Sequence, residues 1–159
     1  MKTKKPILRL AALAALSFFT GNEIVAQTNI GAACGCPPVA SRTAVTISSL
    51  SNYTAVVGTQ GGTLSGVTNL TCDKLYTMDV KTYIPNGATL NIQPGTVIKA
   101  ADNSASGPSF ASALVISRGG KIMASGTEEC PIVFTAAADP MDGSYGILNN
   151  GKWGGVVLL

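Results

Sequence analysis

The sequence predicts an all-β chain wound into a parallel β-helix, a solenoid of short strands, and three observations carry that expectation. Beyond residue 26 no window places apolar residues at helical spacing. Thr, Ser, Gly and Asn supply 51 of the 133 residues from Gln27 onward, a mixture that suits short strands and tight turns. The stretch 83–96 recurs at 115–127, one residue shorter. A short unit holding several strands stacks as coils, whereas the strands of a sandwich would pair as hairpins.

The first 26 residues stand apart from that fold. Lys2, Lys4, Lys5 and Arg9 precede an uncharged apolar run over 10–19, and Ile24-Val25-Ala26 ends on a small residue before Gln27. That order marks a secretory signal peptide, helical in character and cleaved after Ala26. An uncleaved anchor would need about 20 apolar residues; this run is shorter and is followed by Asn22 and Glu23. The whole chain carries a net charge of +3, but the residues after Ala26 hold seven positive and seven negative side chains. The positive excess therefore leaves with the leader. No nucleic-acid partner is expected, since no basic patch survives, and no membrane span is expected once the signal is removed. The expected location is secreted or at the outer cell surface.

Residues 27–71 read as an N-terminal lead-in or cap, because Gly58, Gly61, Gly62 and Gly66 interrupt the β-formers. Cys34, Cys36, Cys72 and Cys130 all follow the leader, and an even number in an oxidising compartment points to disulfides. Cys34 and Cys36 flank a single glycine, too close to bridge each other without strain, so each is expected to reach Cys72 or Cys130. Lipidation of Cys34 is the rival reading, but Gly31 stands where a larger aliphatic residue is needed.

Residues 72–159 read as the coils. Tyr76, Met78, Val80 and Ile84 fall on one face of an extended segment, with Thr77, Asp79, Lys81 and Tyr83 on the other. Pro85-Asn86-Gly87 turns the chain, Leu90 and Ile92 share the inner face of the next strand, and Pro94-Gly95 turns it again before Val97-Ile98. In the second copy Gly119 matches Gly87, Ile122 matches Leu90, Ala124 matches Ile92, Gly126-Thr127 matches Gly95-Thr96, and Val133-Phe134 matches Val97-Ile98. Without the irregular polar insert 101–112 the unit is about 20 residues, one winding of a solenoid. The chain closes on Val156-Val157-Leu158-Leu159, an apolar strand with nothing after it to cover the last coil. A solenoid needs caps, so the expectation is a fragment holding the first coils only, with self-association of the last strand as the alternative.

The strings Ile84-Pro85-Asn86-Gly87-Ala88-Thr89-Leu90-Asn91-Ile92-Gln93-Pro94-Gly95-Thr96-Val97-Ile98-Lys99, Ala113-Leu114-Val115-Ile116-Ser117-Arg118-Gly119 and Trp153-Gly154-Gly155-Val156-Val157-Leu158, with Gly126-Thr127 and Pro131-Ile132-Val133-Phe134-Thr135 between the last two, carry a resemblance. Together they resemble the opening coils of large secreted Bacteroidota proteins with a pectin-lyase-like right-handed parallel β-helix. The resemblance implies a longer parent chain, often with a C-terminal sorting domain, and it is specific for architecture rather than for activity.

Chemistry is sparse. The chain has no histidine, which removes Ser-His-Asp and Cys-His catalysis and His-ligated metals. Asp139 and Asp142, three apart in an Asp-Pro-Met-Asp-Gly loop, are weak calcium candidates, although Asp, Pro and Gly also serve any turn. Glu128 and Glu129 are adjacent, and nothing places a second carboxylate at glycosidase separation from them. Lys99, Arg118 and Lys121 are isolated cations beside turns, and Trp153 beside Gly154-Gly155 suits packing at a coil corner better than stacking on a sugar. No catalytic residue and no cofactor is expected. Two functions follow. One is a non-catalytic scaffold for adhesion or glycan contact, with surface polysaccharide or other cell-surface proteins as partners. The alternative is the N-terminal part of a polysaccharide lyase or glycoside hydrolase whose active site lies beyond Leu159.

Overall fold

A computed structural model describes residues 29–107 and 111–159, so the expected leader and its cleavage after Ala26 lie outside the described residues. Regular structure among them is β-strand with a few single-turn 3₁₀ segments: β1 (Thr43–Thr46), β2 (Tyr53–Ala55), β3 (Gly61–Leu64), β4 (Val67–Leu70), β5 (Lys74–Met78), β6 (Lys81–Ile84), β7 (Thr89–Ile92), β8 (Val97–Ala100), β9 (Ala113–Ile116), β10 (Lys121–Ala124), β11 (Val133–Ala136) and β12 (Val156–Leu158). They form three sheets, with orders β1-β5-β8-β11, β2-β3-β6-β9-β12 and β4-β7-β10. Every third strand returns to the same sheet one layer on, and all pairs are parallel except β2 with β3. The expected parallel β-helix is therefore the fold.

The registers follow the repeat read from the sequence. Leu90 stacks on Ile122, Ile92 on Ala124, Val97 on Val133 and Ile84 on Ile116. Two details differ from expectation. A coil without inserts advances 22 residues, as Asn69 over Asn91 shows, rather than 20. Gly126-Thr127 does not lie over Gly95-Thr96: the turn before β11 is longer than its counterpart, so the Gly95 amide donates to the Cys130 carbonyl and Val133 donates to Thr96. The likeness of the two Gly-Thr pairs is local turn chemistry, displaced by the extra residues. The single extended segment expected over 76–84 is also broken, with Asp79 and Val80 forming the corner between β5 and β6. Upstream, the stacking reaches into the lead-in region, since β1 pairs with β5 and β3 with β6.

Inward rows fill the interior. Tyr76 and Ile98 stack below Phe134, Leu70 sits beside Ile92, and Leu64, Met78, Ile84, Leu90, Leu114 and Ile116 complete one core. Each such side chain removed from water contributes roughly 1.5–3 kcal/mol. Tyr76 is buried with its polar end satisfied, its hydroxyl accepting the Thr71 amide at 2.9 Å.

A second, smaller core lies outside the solenoid. The outward row Leu75, Val97 and Val133 of the first sheet is covered by Ile30, Val39 and Met141. The segment 29–42 thus runs as a strap over that face. Arg42 holds it down: Nε donates to the Pro37 carbonyl at 3.0 Å, Nη1 to Gly95 at 2.9 Å, and Nη2 to the Ile30 carbonyl. Burial lowers the guanidinium's pKa, opposed in part by the Asp73 carboxylate. Strap and corner meet at Gly31 and Gly95, both at φ 79°, where a Cβ on Gly95 would come within 2.8 Å of the Gly31 Cα. Two disulfides complete the attachment, Cys36–Cys72 and Cys34–Cys130. This resolves the pairing left open by the spacing, and among the described residues no cysteine is free.

Candidate functional site

The three corners of the coil are unequal. Connections from the second sheet to the third are short, 65–66, 85–88 and 117–120, and those from the third to the first run 71–73, 93–96 and 125–132. From the first sheet to the second they are 47–60, 79–80, 101–112 and 137–155. The polar insert at 101–112 expected from the sequence is one of three long connections, all at one edge. Insertions cost a solenoid little at a corner, because each coil touches only its neighbours, and the stacked loops then form one continuous surface.

Polar contacts join these loops from rung to rung. In the first loop Ser48 donates to the Asp79 carboxylate through its hydroxyl at 2.5 Å and its amide at 3.3 Å. Asn103 of the next loop donates to the Asp79 carbonyl at 2.8 Å, and Asp102 pairs with Lys152 of the last loop at 3.3 Å. Ser112 ties the base of its loop by donating to Ala101 at 2.6 Å. Above Asp79 the β2–β3 hairpin leaves a groove of about 470 Å³ lined by Ser48, Tyr53, Thr59, Gln60, Asp79 and Val80, among others. Burial, and then the Asp79 charge, push the Tyr53 phenol above its ordinary pKa, so it stays a hydrogen-bond donor at neutral pH.

The residues singled out in the sequence do not converge on a reactive centre. Asp139 accepts the Thr135 hydroxyl at 2.5 Å and the Met141 amide at 2.7 Å, whereas Asp142 accepts the Ser144 amide at 2.8 Å. Ser144, through its side chain first, holds the Asp142 carboxyl below the usual range. Each carboxylate thus closes its own turn, and between them Met141 takes φ 64° while its side chain plugs the second core. Among the described residues no three His, Cys, Asp or Glu side chains gather as a metal site. Lys99 donates to the Asp139 carbonyl at 2.6 Å, anchoring the same loop. Glu128 and Glu129 are exposed in the turn before Cys130, and Arg118 and Lys121 are exposed at the opposite corner. Trp153 stacks on Phe134 at 6.4 Å and packs against the main core, as the neighbouring glycines suggested.

Sequence reasoning missed Arg42, Ser48 and Tyr53. Their partners lie far along the chain, and no motif announces them. The disulfides suit an oxidising, extracellular setting, and no helix among the described residues is long and apolar enough to cross a membrane. Residues 62–159 match the family model described as a pectate-lyase like beta helix domain. Neither curated proteins nor solved structures give a match.

Proposed function

Because this chain belongs to the pectate-lyase-like β-helix family, we propose that it is a secreted or cell-surface scaffold that presents one edge for adhesion, most directly for contact with polysaccharide. The observation that carries the reading is the gathering of the loops 47–60, 101–112 and 137–155 at a single corner of the coil. Variable length confined to one edge, over strands held in strict register, separates a surface that contacts partners from a frame that positions it. The loop contacts Ser48–Asp79–Asn103 and Asp102–Lys152 support this reading by making the edge one surface. The lining of the groove at Tyr53 and Asp79, hydroxyl, amide and aromatic, is chemistry suited to sugars.

The test replaces 101–112 with a two-residue corner of the Asp79-Val80 kind. The variant is expected to keep its far-ultraviolet circular dichroism and unfolding midpoint while losing adhesion to polysaccharide-coated surfaces. Unchanged adhesion would overturn the reading. The family description favours a second reading, part of a polysaccharide lyase, and that predicts turnover of an acidic polysaccharide into unsaturated products.

A further inference from the structure

The third sheet carries a groove away from the loop-bearing edge. Its outward positions are Val67 and Asn69 on β4, Thr89 and Asn91 on β7, and Lys121 and Met123 on β10, since Thr68, Leu70, Leu90 and Ile92 point inward. In-register stacking sets Asn69 over Asn91 over Met123. The Asn91 Nδ2 donates to the Asn69 Oδ1 at 2.8 Å. An amide offers two donors and two acceptor lone pairs, so this bond leaves donors on Asn69 and acceptor capacity on Asn91 directed along the face. Asn69, Asn91, Gln93, Pro94, Met123 and Ser125 line a groove of about 400 Å³, and none of its lining residues is charged. Gln93 is held in place by accepting the Cys72 amide at 3.2 Å. Met123, 59% exposed, and Pro94 give the groove an apolar wall.

We infer that this groove is a binding subsite for an uncharged sugar, an inference that rests on the glycan-contact reading above. A neutral pyranose presents hydroxyls at its rim and C–H groups on its faces. The amide pair and Ser125 match the rim, and Met123 with Pro94 match a face. Adjacent rungs are about 4.8 Å apart, so an extended glycan crossing them meets the amide pair with successive groups. A uronate chain finds no cation among the lining residues, so the site selects neutral over acidic sugars.

The experiment is isothermal titration calorimetry on the full secreted chain with cellohexaose, xylohexaose and mannohexaose as neutral probes and hexagalacturonate as the acidic one. Binding of a neutral probe is expected, with hexagalacturonate at least tenfold weaker. Asn91→Ala and Met123→Ala are each expected to weaken the neutral probe about tenfold, the size of one or two lost contacts, with unfolding midpoints near wild type. If the substitutions lower the unfolding midpoint and leave affinity unchanged, the asparagine pair only supports the stack and the subsite is refuted. Binding of hexagalacturonate alone, insensitive to both substitutions, overturns this subsite and leaves the glycan-contact reading standing. Binding of none of the four probes overturns the subsite, while adhesion by the loop variant judges the broader reading separately.

Discussion

Arg42 shows how one side chain decides whether a segment belongs to a fold. Its guanidinium is spent on three main-chain carbonyls, two within the strap and one, Gly95, on the solenoid. Replacing it with Met keeps the stem's packing but strands those carbonyls, and the expected loss is about 3 kcal/mol in chemical denaturation. A change under 0.5 kcal/mol, the size of an ordinary surface substitution, would show that the strap does not depend on it. Acid acts on other residues. The Thr71 hydroxyl holds the Asp73 carboxyl below its usual range, and Ser144 does the same for Asp142. Folded values below the unfolded value of about 4 contribute stability that is present above that pH and lost as pH falls through the folded values. Stability measured from pH 6 to 2 is therefore expected to decline only below about pH 4, and Thr71→Val is expected to flatten that decline. The sequence does not announce the Arg42 contacts, because they go to carbonyls, which every residue carries.

At the level of elements, the strands were legible and the attachments between them were not. Alternation placed Leu90 and Ile92 inside, and the repeat set Ile122 and Val133 over their partners, because parallel in-register stacking copies a pattern from coil to coil. The Gly126-Thr127 match failed for the converse reason, since a turn is free to change length between fixed strands. Cysteine spacing excluded one pairing and left the others open; the coil's geometry selects Cys36–Cys72 and Cys34–Cys130. The amide pair was findable in principle, for Asn69 and Asn91 stand one bare coil apart, but the 22-residue period emerges only from the registers. The strap makes its own prediction. Closing loops of 36 and 96 residues, the two disulfides contribute about 3–5 kcal/mol each by chain entropy. Reduction is expected to lower the unfolding midpoint and raise binding of an apolar dye as Leu75, Val97 and Val133 lose their cover. Reduction without added dye binding would mean that Ile30 and Val39 stay docked.

The whole molecule is graded along its axis. Inward residues of β7, β8 and β9 are buried, whereas Ile122, Phe134 and Ala124 of the next coil are partly or fully exposed, and so are Val156 and Leu158 of β12. Opening is cheapest where the fewest apolar contacts must break. Amide exchange is expected to be slowest in β7, β8 and β9 and fastest in β12, and uniform protection along the axis would contradict a stack that opens rung by rung. The disulfides also acquire a mechanical meaning. Cys72 lies at the first complete rung and Cys130 at the third, and between them runs Cys36-Gly35-Cys34, a three-residue covalent tie lying beside the hydrogen-bonded stack. A pull that separates these rungs loads that tie before it draws out the long chain wound between Cys72 and Cys130. Tension along the axis is thus carried by covalent bonds, and the coil yields as a spring only after a reductant has cut its tether.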